Sequence, residues 1–403
     1  MPEKILNKSD FNQLIKLLEL KGYDVYGSQV KDGAIVYDAL EDASQLPQNF
    51  SDEQQPGLYR LNSSQTGRWF SWANAAQGIK PLVFKPSQKL WSAAKAEDGT
   101  LSFESAVNSA VNGSVNDSEP SEKPKAIIGV RNCDLVALGL QDQHFLEQTY
   151  IDPYYETHRK NLFLVAVNCT HPAQTCFCHS TGDGPIAQAG YDIVLDELDD
   201  DFLVATGSIA GELIVASLSL NECDGSDKNN QLKQAQVTQQ HLTVKAFRGP
   251  VLPNIDIQTG LKNAFDANYW EDIAKRCLSC GNCTSVCPTC FCYSEHDEAA
   301  LDGSSSDHVR QWDSCFNQSH SYIHGIVIRS ETKFRYRQWL THKFSGWVEQ
   351  YGRSGCVGCG RCMTWCPVGI DVIDAITKVC ENEDKSEKKG ASGKVDKNEA
   401  NDE

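Results

Sequence analysis

The spacing of apolar positions changes several times along the chain, and each change marks a different element. In FNQLIKLLEL (residues 11–20), Phe11, Leu14, Ile15, Leu17 and Leu18 recur near helical spacing, and Gly22 stops the run. From about Ala34 to Trp91 the pattern breaks into strand-length pieces, GAIVYD, GLYRL, RWFSW and PLVFK, divided by turns. Residues 97–125 carry few large apolar side chains and predict a solvated insertion. AIIGV and NLFLVAVNC are short continuous apolar runs, as expected of buried strands. Between them a helix starts at Asp134 and carries Leu135, Leu138, Leu140 and Phe145. Strand, helix, strand predicts an α/β unit with parallel strands. GYDIVLDEL and DFLVATGS predict a hairpin, and residues 221–240 a second polar insertion. Residues 381–403 hold eight acids, five bases and almost no apolar side chain, so a disordered tail is expected.

The 403 residues are enough for two or three domains with real cores. The net charge of −17 argues against nucleic acid and against an anionic membrane surface, both of which select basic patches. No apolar run reaches the length of a membrane span, and the first twenty residues lack a signal-peptide pattern, so a cytoplasmic location is expected. Seventeen cysteines, an odd number without a secretion signal, point to metal ligation rather than disulfides.

The cysteine spacing carries the chemistry. Cys277, Cys280, Cys283 and Cys287-Pro288 follow a C-x2-C-x2-C-x3-C-P run, and Cys356, Cys359, Cys362 and Cys366-Pro367 repeat it. Each run is the one that wraps a [4Fe–4S] cluster in bacterial-type ferredoxins, with the fourth cysteine crossing to the other cluster. One cluster is therefore assigned to Cys277, Cys280, Cys283 and Cys366, the other to Cys287, Cys356, Cys359 and Cys362. Glycines at 281, 358 and 360 let the backbone turn closely around inorganic sulfur. The fourth cysteine of each run is expected at a helix start, with proline in the first turn. The 68 residues between Cys287 and Cys356 predict a helical insertion between the halves. The reading is α+β: an N-terminal α+β region (1–96), an insertion (97–125), an α/β domain (126–262), a dicluster ferredoxin-like domain (263–380) and a tail (381–403).

A second set follows the two buried strands. Cys133, Cys169, Cys176 and Cys178 fall where parallel strand ends open on one sheet edge, the place where α/β proteins hold ligands. They are candidates for a third cluster; zinc and buried free thiols are the alternatives. Cys290, Cys292 and Cys315 form a weaker metal candidate with three visible ligands. The tetrapeptide TCFC occurs twice, at 175–178 and 289–292. Cys223 and Cys380 are expected as free thiols. No G-x-G-x-x-G follows a strand, and no P-loop is present. His320 and His324 are four apart, but lack the glutamate of a zinc protease motif and are expected as a solvated helical pair. Such a chain stores and passes single electrons and shows no catalytic site of its own.

IIGVRNCDLVALGLQDQHFL, NCTHPAQTCFCHSTGDGP, YWEDIAKRCLSCGNCTSVCPTCFCYSEHD, RQWDSC and CVGCGRCMTWCPVGID resemble the iron–sulfur β subunit of soluble [NiFe] sulfhydrogenases. They resemble equally the iron–sulfur electron-transfer subunit of anaerobic sulfite reductases. The likeness runs from about Arg60 to Ile373; the polar insertions and the tail depart from it. It implies a relay between a flavoprotein partner, which binds FAD and works on NAD(P)H, and a catalytic partner, either hydrogenase or sulfite reductase.

Overall fold

The computed structural model describes residues 4–105, 123–218, 220–222 and 227–381. Cys223, residues 106–122 of the expected insertion and residues 382–403 of the expected tail lie outside the described residues. The chain forms two compact units. The first comprises Met1–Pro250, Gly281–Ser314 and Cys356–Gly369; the second comprises Val251–Cys280, Cys315–Gly355 and Ile370–Glu403.

The first unit has fourteen strands among its described residues. They are β1 (Lys4–Asn7), β2 (Asp24–Lys31), β3 (Ala34–Ala39), β4 (Phe50–Gln55), β5 (Leu58–Ser63), β6 (Ser87–Lys95) and β7 (Leu101–Ser105), followed by β8 (Lys125–Val130), β9 (Leu162–Val167), β10 (Ile193–Glu197), β11 (Asp201–Thr206), β12 (Asn221–Glu222), β13 (Tyr293–Ala299) and β14 (Ser305–Trp312). Eight of them build one sheet in the order β12-β1-β11-β10-β9-β8-β2-β3. The central pairs β2–β8, β8–β9 and β9–β10 are parallel, and the pairs toward both edges are antiparallel. Helices α1 (Phe11–Leu20), α2 (Asn132–Phe145) and α3 (Pro153–Lys160) cover the sheet.

Why β8 and β9 read as unbroken apolar runs is plain from the core. Ala126, Ile128, Phe163, Val165 and Val167 point to one face, where they pack with Phe11, Leu14, Phe70 and Trp72. Ile127, Val130, Leu164 and Ala166 point to the other, against Leu135, Leu138 and Phe145 of α2. With both faces covered, alternation disappears from the sequence. Each such aliphatic side chain contributes about 1.5–3 kcal/mol on burial.

Several expectations are corrected. RWFSW is not a strand. The N–H groups of Trp69 and Phe70 donate to the buried Glu197 carboxylate at 2.6 and 2.9 Å, and Phe70 and Trp72 carbonyls accept from Arg131. Side chains thus take the partners a neighbouring strand would have supplied. PLVFK starts as one helical turn (Lys80–Val83), with Pro81 in the position that tolerates a missing N–H. Within 97–125, Leu101–Ser105 is a strand. Out of 221–240 rises the helix Asp227–Ala246; its five Gln and three Lys favour helix without an apolar stripe.

The stretch between the cysteine repeats holds strands as well as helices. β13 and β14 join β6 and β7 in a four-stranded antiparallel sheet, order β13-β14-β6-β7. Its helical part lies in the second unit, which packs Ile257–Asn263, Tyr269–Ala274, Thr332–Thr341, Trp347–Tyr351 and a helix over 372–381. Trp270, Phe316, Tyr336, Trp339, Phe344 and Trp347 are buried in it. His320 sits in the turn Ser319–Ser321 and His324 in a left-handed hairpin position (φ 46°), so they share no helix face. No helix among the described residues is long and apolar enough to cross a membrane.

Candidate metal centre

The two cysteine repeats fold alike at the backbone. Ser279 and Gly358, two residues after the first cysteine, have φ of 51° and 64°; Gly281 and Gly360 follow at 72° and 76°. Two left-handed residues per repeat curl the loop so that its amides turn inward. In each, the N–H of the first left-handed residue donates to the first cysteine: Ser279 to Cys277 Sγ and Gly358 to Cys356 Sγ, both at 3.4 Å. Such bonds favour thiolate over thiol. Gly281 and Gly360 then open the short helices Asn282–Ser285 and Arg361–Thr364, which carry Cys283 and Cys362. Lys80 Nζ binds the end of the first through the Thr284 and Ser285 carbonyls at 3.3 and 3.1 Å. The expectation that Cys287 and Cys366 start helices is corrected: both follow these single turns, and Pro288 and Pro367 block continuation.

In the first unit Cys287, Cys356, Cys359 and Cys362 come together. Burial pushes the Cys362 thiol well above its ordinary range, and Cys356, Cys359, Cys287 and Cys283 push it further. Burial likewise raises Cys359; the Arg361 guanidinium opposes this, while Cys287 adds to it. Of the other assigned set, Cys283 and Cys366 belong to the first unit, Cys277 and Cys280 to the second. Cys290 and Cys292 lie in the first unit and the buried Cys315 in the second. Cys380 is buried in the second, with its Sγ against Gly260.

Cys133, Cys169, Cys176 and Cys178 also gather, all in the first unit. Cys133 lies in the first turn of α2 immediately after β8, and Cys169 follows β9. Burial raises the thiols of Cys133, Cys176 and Cys178; Cys178 and Cys169 add to it at Cys176, Cys169 at Cys178 and Cys178 at Cys133, and Cys359 of the second repeat acts on all three. The first TCFC loop lies directly on the second ferredoxin loop. Phe177 N–H donates to the Gly358 carbonyl at 2.8 Å, and Asn74 Nδ2 donates to the Cys359 carbonyl at 2.9 Å. A Cβ on Gly358 would stand 2.5 Å from the Cys178 nitrogen, so this close approach requires glycine. Thr175 Oγ1 meets Thr364 Oγ1 at 2.8 Å. The threonine of the second TCFC, Thr289, meets Cys287 Sγ at 3.2 Å.

Sequence reasoning missed four residues here. Arg131, 1% exposed, clamps the sheet edge through carbonyls of Val167, Asn168, Phe70 and Trp72 and stacks on Trp72. Arg361 and Asp134 form a fully buried ion pair at 2.9 Å, and Arg361 Nε donates to the Ala75 carbonyl. Asn74 bridges toward Cys176. The signal available was an ionic residue inside each cysteine motif, RNCD and CGRC, where burial demands a partner.

The residues present suit iron–sulfur clusters: paired thiols, inward amides and left-handed turns in both repeats. Among the described residues no three His, Cys, Asp or Glu side chains close on a single metal ion. A tetrahedral thiolate ion needs sulfurs about 3.8 Å apart, from bonds of about 2.3 Å; a four-iron core is larger and takes thiolates standing wider.

Residues 276–370 match the family model described as a 4Fe-4S dicluster domain. Over 259 residues the chain is 32% identical to sulfhydrogenase 2 subunit beta of Pyrococcus furiosus, covering 63% of this chain and 74% of the relative. The chain belongs to the sulfhydrogenase β-subunit family. As a member of it, the chain is an iron–sulfur electron-transfer subunit, with mixed α+β architecture and dicluster chemistry. No solved structure matches the chain.

Proposed function

We propose that this β-type subunit relays electrons between a flavoprotein, which exchanges them with NAD(P)H, and a cytoplasmic [NiFe] hydrogenase catalytic subunit. The observation that carries the reading is the likeness to a sulfhydrogenase β subunit over 259 residues, reaching well beyond the cysteine loops. Two clusters, one on Cys277, Cys280, Cys283 and Cys366 and one on Cys287, Cys356, Cys359 and Cys362, supply one-electron storage when bound. The chain's own residues do the rest. Loop amides hold the sulfurs, Arg361 places a positive charge beside Cys359, and the first TCFC loop keeps water from the second repeat. The bulk of the first unit is more than a diffusing carrier needs, which favours permanent partners.

The test is the native complex, purified without oxygen. Nickel in a co-purifying subunit, with NAD(P)H-linked hydrogen turnover, is the expected result. Sirohaem and sulfite reduction in place of nickel and hydrogen would assign the chain to the sulfite reductase branch. A monomer with neither would end the relay proposal.

A further inference from the structure

We infer that Cys133, Cys169, Cys176 and Cys178 ligate a third iron–sulfur cluster, set at the carboxyl edge of the parallel sheet where the first TCFC loop packs on the second ferredoxin loop. The site adds a centre to the proposed relay and rests on that reading only for its role, since the metal content stands or falls alone.

The four cysteines reach this edge by three separate routes. β8 and β9 are parallel neighbours, so the residues after them emerge on the same side of the sheet. Cys133 and Cys169 are those residues. The TCFC loop is brought back over the edge by the segment 183–185. Asp183 N–H donates to the Cys178 carbonyl at 2.9 Å, and Cys169 N–H to the Pro185 carbonyl at 3.2 Å. Asn132, next to Cys133, donates through Nδ2 to the Asp183 carbonyl at 2.8 Å. A Cβ at Gly184 would stand 2.8 Å from Cys178 Sγ. One short strap therefore touches all three cysteine segments.

A buried free cysteine ordinarily replaces a small apolar side chain, and Cys176 does pack with Ala73, Ala173 and Phe247. Polar groups nevertheless stand around the set: Asn74, Asn132, Asp134 and Arg361, each at most 4% exposed. Four of their atoms, Asn74 Oδ1, Asn132 Oδ1, Asp134 Oδ1 and Arg361 Nη1, are buried with no hydrogen-bond partner. Arg361 pairs with Asp134 at 2.9 Å and donates from Nε to the Ala75 carbonyl, which leaves Nη1 over. A cationic donor with a spare N–H beside Cys133 and Cys359 suits anionic thiolate-bound iron–sulfur cores on both sides of it.

The position extends the wire. Cys176 Sγ lies 3.8 Å from the carbonyl of Cys359, itself assigned to the second-repeat cluster. An electron passing between the two centres oxidises one by one unit and reduces the other by one. No bond breaks, no proton moves, and the partner subunits of the proposed relay supply and remove the electron.

The full chain, purified anaerobically, is the sample. Iron and acid-labile sulfide are counted, and Mössbauer spectra divide the iron among cluster environments. Three cubanes give about twelve irons per chain, and Cys176→Ser or Cys169→Ser lowers this to about eight with the ferredoxin-pair signals retained. About eight irons in the unaltered chain overturns the site without touching the relay proposal, and needs no variant to fold. About eight irons with one zinc, or with a disulfide among these cysteines, overturns it as well. Twelve irons in a chain that purifies as a monomer, with neither hydrogen nor sulfite turnover, would instead sink the relay reading and leave the site standing.

Discussion

Ser279 and Gly358 occupy the same place in the two repeats, yet only one can carry a side chain. Both are left-handed, which costs a non-glycine residue roughly 1–2 kcal/mol. Ser279 offsets this: its hydroxyl bonds Thr332 Oγ1 at 3.1 Å and accepts from Arg335 Nη2 at 3.3 Å. Gly358 has Cys178 backbone where its Cβ would be. Gly358→Ala should therefore destabilise the holoprotein by about 2 kcal/mol or more and lower its iron content, whereas Ser279→Gly should stay within about 1 kcal/mol; a thermal melt with an iron assay checks both, and equal behaviour of the pair would contradict the packing described. The Arg361–Asp134 pair gives a second test. Removing either partner strands a buried charge, so Arg361→Gln and Asp134→Asn should each cost about 3–5 kcal/mol. Their electrochemical effects differ in sign. Loss of the positive charge should move the nearest cluster potential downward, and loss of the negative charge should move it upward, as read by redox titration followed by EPR. The same direction in both variants would show that structural damage, not charge, dominates.

Elements that the sequence exposed clearly were those whose side chains alone fix their state. β8 and β9 are covered on both faces and read as apolar runs; α1 has a buried stripe of Phe11, Leu14, Ile15 and Leu18. The misses share a different cause. RWFSW owes its irregular path to Glu197 and Arg131, which lie far away in sequence. β7 shows alternation at Leu101 and Phe103, but both are exposed, so no apolar face announced it. β13 and β14 close a sheet with β6 across about 200 residues, a pairing no local pattern contains. That sheet carries a pH signature. On β14, His308 Nδ1 contacts Asp297 at 2.7 Å and Nε2 contacts Glu295 at 3.3 Å, and these bonds raise its pKa above 6.5. The stabilisation is complete below pH 6.5 and is lost as pH rises through the folded pKa. It is modest, because the groups are exposed. An NMR titration should place His308 above the ordinary histidine value, and Asp297→Asn should bring it down; an unshifted His308 would remove the interaction.

At the scale of the whole molecule, dicluster character was legible in the sequence, and residues 276–370 match a 4Fe-4S dicluster domain. Spacing singles out eight cysteines as its candidate ligands, because one tight loop must supply three thiolates. Topology singles out Cys133, Cys169, Cys176 and Cys178 as a candidate third set, because parallel strands share an edge. What spacing hid was how the cysteine loops are distributed. Residues 281–314 and 356–369 fold into the same compact unit as the α/β sheet, while 251–280 and 315–355 build another. Contiguous blocks drawn along the chain do not anticipate units assembled from separate segments. The crossed ligand assignment remains testable in the same holoprotein. Cys366→Ala should damage the cluster expected on Cys277, Cys280 and Cys283, and leave the one on Cys356, Cys359 and Cys362 intact in Mössbauer spectra; the reverse outcome would uncross the repeats. An iron–sulfur electron-transfer subunit stores and passes electrons singly. A stepwise reductive titration of the anaerobic full chain, monitored by EPR, measures that directly. Uptake of at least about two electrons per chain is expected, each appearing as a half-integer-spin iron–sulfur signal, with about one more from the third site. Uptake of fewer than two, or of electrons only in pairs without iron–sulfur signals, would contradict it.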